Sequence, residues 1–96
     1  MKQMELLFSS EVTLEDSRRM KLDYSLMEIE SEEDQATPYY GIHISKYLGD
    51  TVEADEIQGI SYSKDKVVSM IRKLFQYEVT PISMVEIVDE MVTVGG

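Results

Sequence analysis

The spacing of apolar residues along the chain changes once, from every second position to every third or fourth. From Met4 to Ile60 the repeat is mostly two, and from Val67 to Met91 it is helical. A period of two marks a half-buried strand and a period of 3.6 an amphipathic helix. Over residues 4–14, Met4, Leu6, Phe8, Val12 and Leu14 share a face, interrupted by Ser10, while Glu5, Leu7, Ser9, Glu11 and Thr13 take the other. Glu15-Asp16-Ser17-Arg18 reads as a tight hairpin connection. Over residues 19–30, Met20, Leu22, Tyr24 and Leu26 oppose Lys21, Asp23 and Ser25, and then Met27 and Ile29 fall on the polar side. Either a β-bulge near Leu26-Met27 restores one buried face, or the far end of the strand exposes apolar residues.

Residues 30–38, rich in acids and ending in Pro38, form a loop. In the third strand, 39–48, Tyr40, Ile42, Ile44 and Leu48 lie opposite Tyr39, His43, Ser45 and Tyr47. Gly49-Asp50 is a turn signal. The fourth strand, 51–60, is out of simple phase at Val52, Ala54, Ile57 and Ile60. Its acids suit an edge, where charge discourages unwanted pairing.

The helical repeat begins after Ser63, a good N-cap, with Asp65 in the first turn and Tyr62 and Val67 placed for a hydrophobic staple. Val67, Val68, Ile71, Leu74 and Phe75 form the stripe of a helix over 64–77, and Arg72 and Lys73 suit the negative end of its dipole. Thr80-Pro81 closes that segment. Ser83 and Glu86 then make a capping box, and Ile82 and Ile87 a staple, for a second helix over 84–93 with the stripe Met84, Ile87, Val88 and Met91. Short connections place successive strands antiparallel, and one apolar sheet face needs a covering layer. The expected fold is therefore α+β: a four-stranded antiparallel β-meander followed by two α-helices packed on one face, in a single ββββαα domain over 1–96.

Composition adds limits. With 96 residues, 43% hydrophobic and 29% charged, the chain has the makeup of one folded domain. Its net charge of −10 opposes binding to nucleic acid or to anionic membranes, although Lys64, Lys66, Arg72 and Lys73 gather in one segment. There is no cysteine, and the N-terminal apolar run is too short for a signal peptide or a membrane span, so a cytoplasmic protein is expected.

Three segments carry a family likeness: Tyr40-Gly41-Ile42-His43-Ile44, Gly59-Ile60-Ser61 before a helix, and Thr80-Pro81-Ile82 before a short acidic helix with Val88-Asp89. Together they resemble a small uncharacterised domain-of-unknown-function family of anaerobic Gram-positive bacteria (Firmicutes). The resemblance spans nearly the whole chain. It implies a compact bacterial protein and assigns no activity and no site residue.

Catalytic chemistry finds little support. His43 is the only histidine, and no nucleophile elbow or phosphate-binding loop is present. The acidic run Glu28, Glu30, Glu32, Glu33 and Asp34 lacks the alternating acids and central glycine of a calcium loop. Paired carboxylates among 19 acids carry no specificity. No catalytic residue, metal or cofactor is expected.

Two surfaces remain. Leu7, Met27, Ile29, Tyr39, His43 and Tyr47 fall on the sheet face that the helices leave uncovered. Lys66, Arg72 and Lys73 form a basic side on the first helix, opposite in sign to Glu86, Asp89 and Glu90 on the second. The expected function is a non-catalytic binding or regulatory module that contacts a protein partner, or a second copy of itself, through the outward sheet face or the helix surface. A self-assembling structural protein and a small enzyme without a recognisable motif are the alternatives.

Overall fold

The computed structural model describes residues 2–30 and 38–95. The elements are β1 (Lys2–Thr13), β2 (Arg19–Ile29), β3 (Tyr39–Leu48), β4 (Thr51–Ser61), α1 (Lys64–Gln76) and α2 (Pro81–Gly95). The strands form one antiparallel sheet in chain order, and both helices lie on the same face of it. This is the α+β meander with a helical layer that the periodicities imply. The β1–β2 turn places Ser17 at φ 72, with Leu14 accepting from the Ser17 N–H at 2.9 Å and donating to the Arg18 carbonyl at 2.8 Å. The Asp16 carboxylate accepts from the Arg18 backbone N–H at 3.2 Å and from Arg18 Nε at 2.6 Å, and these bonds hold its pKa below the ordinary value. At the β3–β4 turn, Gly49 supplies the positive φ, 58°, that a two-residue hairpin loop needs.

The two edge strands each lose register once. In β1, Leu6 pairs with Ser25 and Phe8 with Tyr24, so Leu7 is the extra residue of a bulge. Leu7 and Phe8 therefore both turn towards the helices, whereas Met4 and Leu6 turn away from them. Of the two readings of the phase change at Leu26-Met27, the bulge is not in β2, which pairs residue for residue with β3 from Met20 to Ile29. Met27 and Ile29 do face the other side. In β4, Ile57 pairs with Ile42 and Ser61 with Tyr40, so Gln58, Gly59 and Ile60 face Gly41 alone. The β4 backbone comes so close there that a Cβ on residue 41 would fall 2.2 Å from the Ile57 carbonyl oxygen. Only glycine fits that position.

The core lies between the sheet and the helices. Leu22, Tyr24 and Leu26 of β2 and Ile42 and Ile44 of β3 meet Val67, Met70, Ile71 and Leu74 of α1 and Met84 and Val88 of α2. Phe75 stacks on Phe8 with centroids 4.8 Å apart and receives Tyr24 edge-on at 5.9 Å. The fully buried Tyr24 hydroxyl donates to the Val79 carbonyl at 3.0 Å, which ties the link between the helices to the middle of the sheet. Burial pushes the Tyr24 phenol far above its ordinary value, and the nearby Glu78 carboxylate raises it further.

The helix ends follow from local chemistry. The Ser63 side chain caps α1 by accepting from the Lys66 N–H at 3.3 Å. At its other end the Glu78 N–H donates to Phe75 and the Val79 N–H to Leu74, with Glu78 at φ 52. That is a Schellman motif with a glutamate where glycine is favoured, and Val79 is buried in the same core cluster as Leu74. The α2 helix starts at Pro81, three residues before the expected boundary, and the Ser83 N–H donates to the Thr80 carbonyl at 3.1 Å. A proline in the first helical position sacrifices no hydrogen bond and has the right φ. The early start leaves Ile82 at 79% exposure, so it does not staple the helix.

Three outcomes follow. Tyr24→Phe leaves the Val79 carbonyl without its donor and should lower the unfolding free energy by about 1–3 kcal/mol in urea melts at pH 7. The folded phenol titrates above the unfolded value of 10.0, so its contribution is intact below pH 10 and is lost as pH rises beyond it. Between pH 9 and 11, wild type should therefore lose stability more steeply than Tyr24→Phe. Glu78→Gly relieves the left-handed backbone and should raise stability by about 0.5–1 kcal/mol, read as a higher urea midpoint at unchanged slope.

Candidate functional site

The outward sheet face differs from the expected one at its centre. Leu7, expected there, is the bulged residue and packs against the core instead. Met27 points outward but is fully buried, so it offers no contact area. Ile29, Tyr39 and His43 are half-buried. The Tyr39 ring lies against Gly59 and meets Tyr62 edge-on with centroids 6.1 Å apart. Tyr47 is exposed, with Lys21 Nζ 5.9 Å from its ring centroid. The exposed apolar side chains of this face are Met4 and Leu6 on β1 and Val52 on β4, at opposite edges of the sheet.

Between those edges runs a polar band. Ser9 Oγ donates to Asp23 Oδ1 at 2.6 Å, and Lys21 Nζ approaches the same carboxylate at 3.8 Å. Strand register sets Ser25, His43 and Glu56 side by side, a row that only the pairing of three strands could reveal. His43 Nδ1 lies 3.5 Å from Ser45 Oγ. Ser25 and Ser45 are both buried, which denies a substrate access to either hydroxyl. The row brings a serine, an imidazole and a carboxylate to one level of the sheet, with the serine buried. Elsewhere, Tyr40 pairs across the sheet with Glu28, and burial together with that carboxylate pushes its phenol up.

On the helical side, Lys66, Arg72 and Lys73 are exposed on α1, and Glu86, Asp89 and Glu90 are exposed on α2. Among the described residues no ion pair joins the two sets; the pairs seen are Arg18–Asp16, Lys21–Asp23 and Lys46–Glu53. Of the acidic run considered for calcium, Glu28 and Glu30 are described, whereas Glu32, Glu33 and Asp34 lie outside the described residues. Among the described residues, no group of three His, Cys, Asp or Glu side chains is placed to hold a metal ion. No described helix is long and apolar enough to cross a membrane.

A groove that the periodicity did not disclose lies between β4 and α2. Ile57, Gly59 and Ile60 form one wall and Val85, Val88 and Val92 the other, around a volume of about 390 Å³. The helix wall arises because Val85, Val88 and Val92 sit three and seven residues apart, on one flank of α2 beside the core stripe. Val88 is buried, but Val85 is 51% and Val92 46% exposed. Glu86 and Asp89 line the same groove. The strand wall arises from the register slip, which swings Gln58–Ile60 out of step with β3.

Residues 3–94 match a family of unknown function, DUF6514. The chain belongs to that family. The likeness read from the three short segments holds at this level: DUF6514 is a domain of unknown function and takes in the sheet, both helices and the groove. No curated protein and no solved structure matches the chain.

The groove can be altered without unfolding the protein. Val85→Gln and Val92→Gln change half-exposed side chains and should each shift stability by less than about 0.5 kcal/mol. Val88→Gln, three residues along the same helix, buries an amide in the core and should cost about 2 kcal/mol or more. Thermal melts of the three variants separate groove from core.

Proposed function

We propose that this DUF6514 chain is a non-catalytic binding module that acts through protein–protein contacts, with the groove between β4 and α2 as its contact surface. The observation that carries this reading is the pair Val85 and Val92, half-exposed in a concave apolar wall beside acidic side chains. Apolar side chains left in a groove with a polar rim are what a docking surface requires. The outward sheet face supports the role less well, because Met27 is already covered and the polar band divides what remains. An enzymatic reading would need converging groups in an accessible cleft, and the Ser25–His43–Glu56 row lies outside the groove.

The sequence supports a setting. Absence of cysteine fits a reducing cytoplasm, and the short motifs fit an origin in anaerobic Gram-positive bacteria. The charge of −10 disfavours nucleic acid and anionic membranes as partners.

Site-specific crosslinking in the source cells tests the role. A photoactivatable residue at Val85 should yield one reproducible protein adduct that is absent when the same residue replaces Ser69, which is exposed on α1. Equal adducts from both positions, or none from Val85, would remove the groove as the contact surface. An adduct with a second copy of the chain would replace the partner-binding reading with self-assembly.

A further inference from the structure

We propose that the groove receives an extended, cationic segment of a partner protein, added as a further strand along the free edge of β4. This rests on the reading of the groove as the contact surface and names the chemistry of its occupant. Three independent features converge on it.

The first is the edge itself. Among the described residues β4 ends the sheet, with β3 as its one strand neighbour. Its outer side is therefore where a pairing strand would add, beyond Glu56, whose N–H already donates to Asp55 Oδ1 at 2.8 Å. The slip at Gln58–Ile60 sets three residues against Gly41 alone, so β3 cannot match them one for one.

The second is the side-chain wall. A strand laid along β4 turns alternate residues towards α2. There they meet Ile57 and Ile60 below and Val85, Val88 and Val92 beside. From Val85 to Val92 the helix rises about 10 Å, the length of about three strand residues. The groove thus reads two alternate apolar side chains of the incoming segment.

The third is charge. Neither β4 nor α2 contains a lysine or an arginine. Glu86 and Asp89 line the groove, and Asp55 and Glu90 are exposed on the same two elements. The nearest base in register, Lys46 on β3, lies 3.7 Å from Glu53. A second copy of so acidic an edge is repelled, whereas lysines or arginines flanking the apolar residues of a partner are attracted. The occupant is therefore a basic, alternating segment of another protein.

The test uses the full chain, labelled with ¹⁵N, and an N-acetylated, C-amidated heptapeptide that alternates valine and lysine. Amide shifts should concentrate at Glu56–Ser61 and Val85–Val92. Binding should weaken at least tenfold in E86K/D89K, at least tenfold in Val85→Gln, and at least tenfold when the peptide amides that face β4 are N-methylated. The same peptide with glutamate in place of lysine should not bind. A thermal melt shows whether each variant is folded, and the two variants remove charge and apolar contact separately. Affinity unchanged in E86K/D89K, or shifts centred on other elements, overturns the cationic groove. Affinity unchanged by N-methylation overturns strand addition while leaving a groove-binding role standing. If the peptide leaves the groove unshifted but crosslinking at Val85 captures a partner, this proposal fails and the binding-module reading survives. Failure of both experiments removes both.

Discussion

A phenol buried in the middle of β2 dictates where the helical layer attaches. Tyr24 cannot leave its hydroxyl without a partner, since a buried donor that finds no acceptor costs about 1–3 kcal/mol. The acceptor is the Val79 carbonyl, which belongs to neither helix. The link between α1 and α2 must therefore cross the centre of the sheet. That requirement fixes the end of α1, where the Schellman bonds bring Val79 back over Leu74 at the expense of a left-handed Glu78. It also fixes the start of α2, because Pro81 opens the next helix only two residues after Val79. Beyond that point α1 touches all four strands and α2 only β3 and β4. The flank of α2 thus comes to lie over the open edge of β4, and the groove is a consequence of where Tyr24 anchors the link.

The sheet adapts to this layer at its two edges. Opposite the Ser25–Tyr24 step of β2, β1 bulges and turns both Leu7 and Phe8 inward, and Phe8 then stacks on Phe75. Opposite Gly41, which pairs with Met27, β4 carries its unmatched residues. Both irregularities fall at the level of residues 24–27 of the same central strand, while β2 and β3 pair without interruption. The inner pair is the rigid frame and the edge strands absorb the misfit, which is where bulges tend to be tolerated.

Strand number, strand order and both helix stripes were legible because each depends on a local period or a cap. The position of the β1 bulge was not. Met4, Leu6, Phe8 and Val12 keep one alternation that only Ser10 interrupts, so the period does not mark the extra residue at Leu7. The disturbance shows only in the partner: Met27 changes face in β2, and Met4 is the residue it pairs with on that face. Pro81 was read as the end of one helix because a proline disfavours helical backbone in the residue before it, yet the same property makes it a good first residue of the next. The groove was beyond sequence reasoning for a different reason. Val85 and Val92 look like a ragged margin of the core stripe until the strand beneath α2 is known.

The acids of β4 have two consequences that pull in different directions. An open edge invites pairing with any extended chain, and a row of carboxylates discourages it. The deterrent is not general, because it depends on the charge of the intruder. Asp55 on β4 and Glu86, Asp89 and Glu90 on α2 are exposed, and neither element contains a lysine or an arginine. On the proposed reading such a field disfavours another copy of a chain whose net charge is −10, and acidic peptides, and favours a basic one. At contact an exposed ion pair is worth about 0–1 kcal/mol, too little to hold a partner alone. On the proposed reading the carboxylates select a partner and the apolar walls hold it. An edge protected by charge alone would have no use for valines exposed beside it, and an apolar groove meant for any partner would have no use for a negative rim. The two together are what the proposed reading requires: an edge that repels its own kind and attracts the opposite charge.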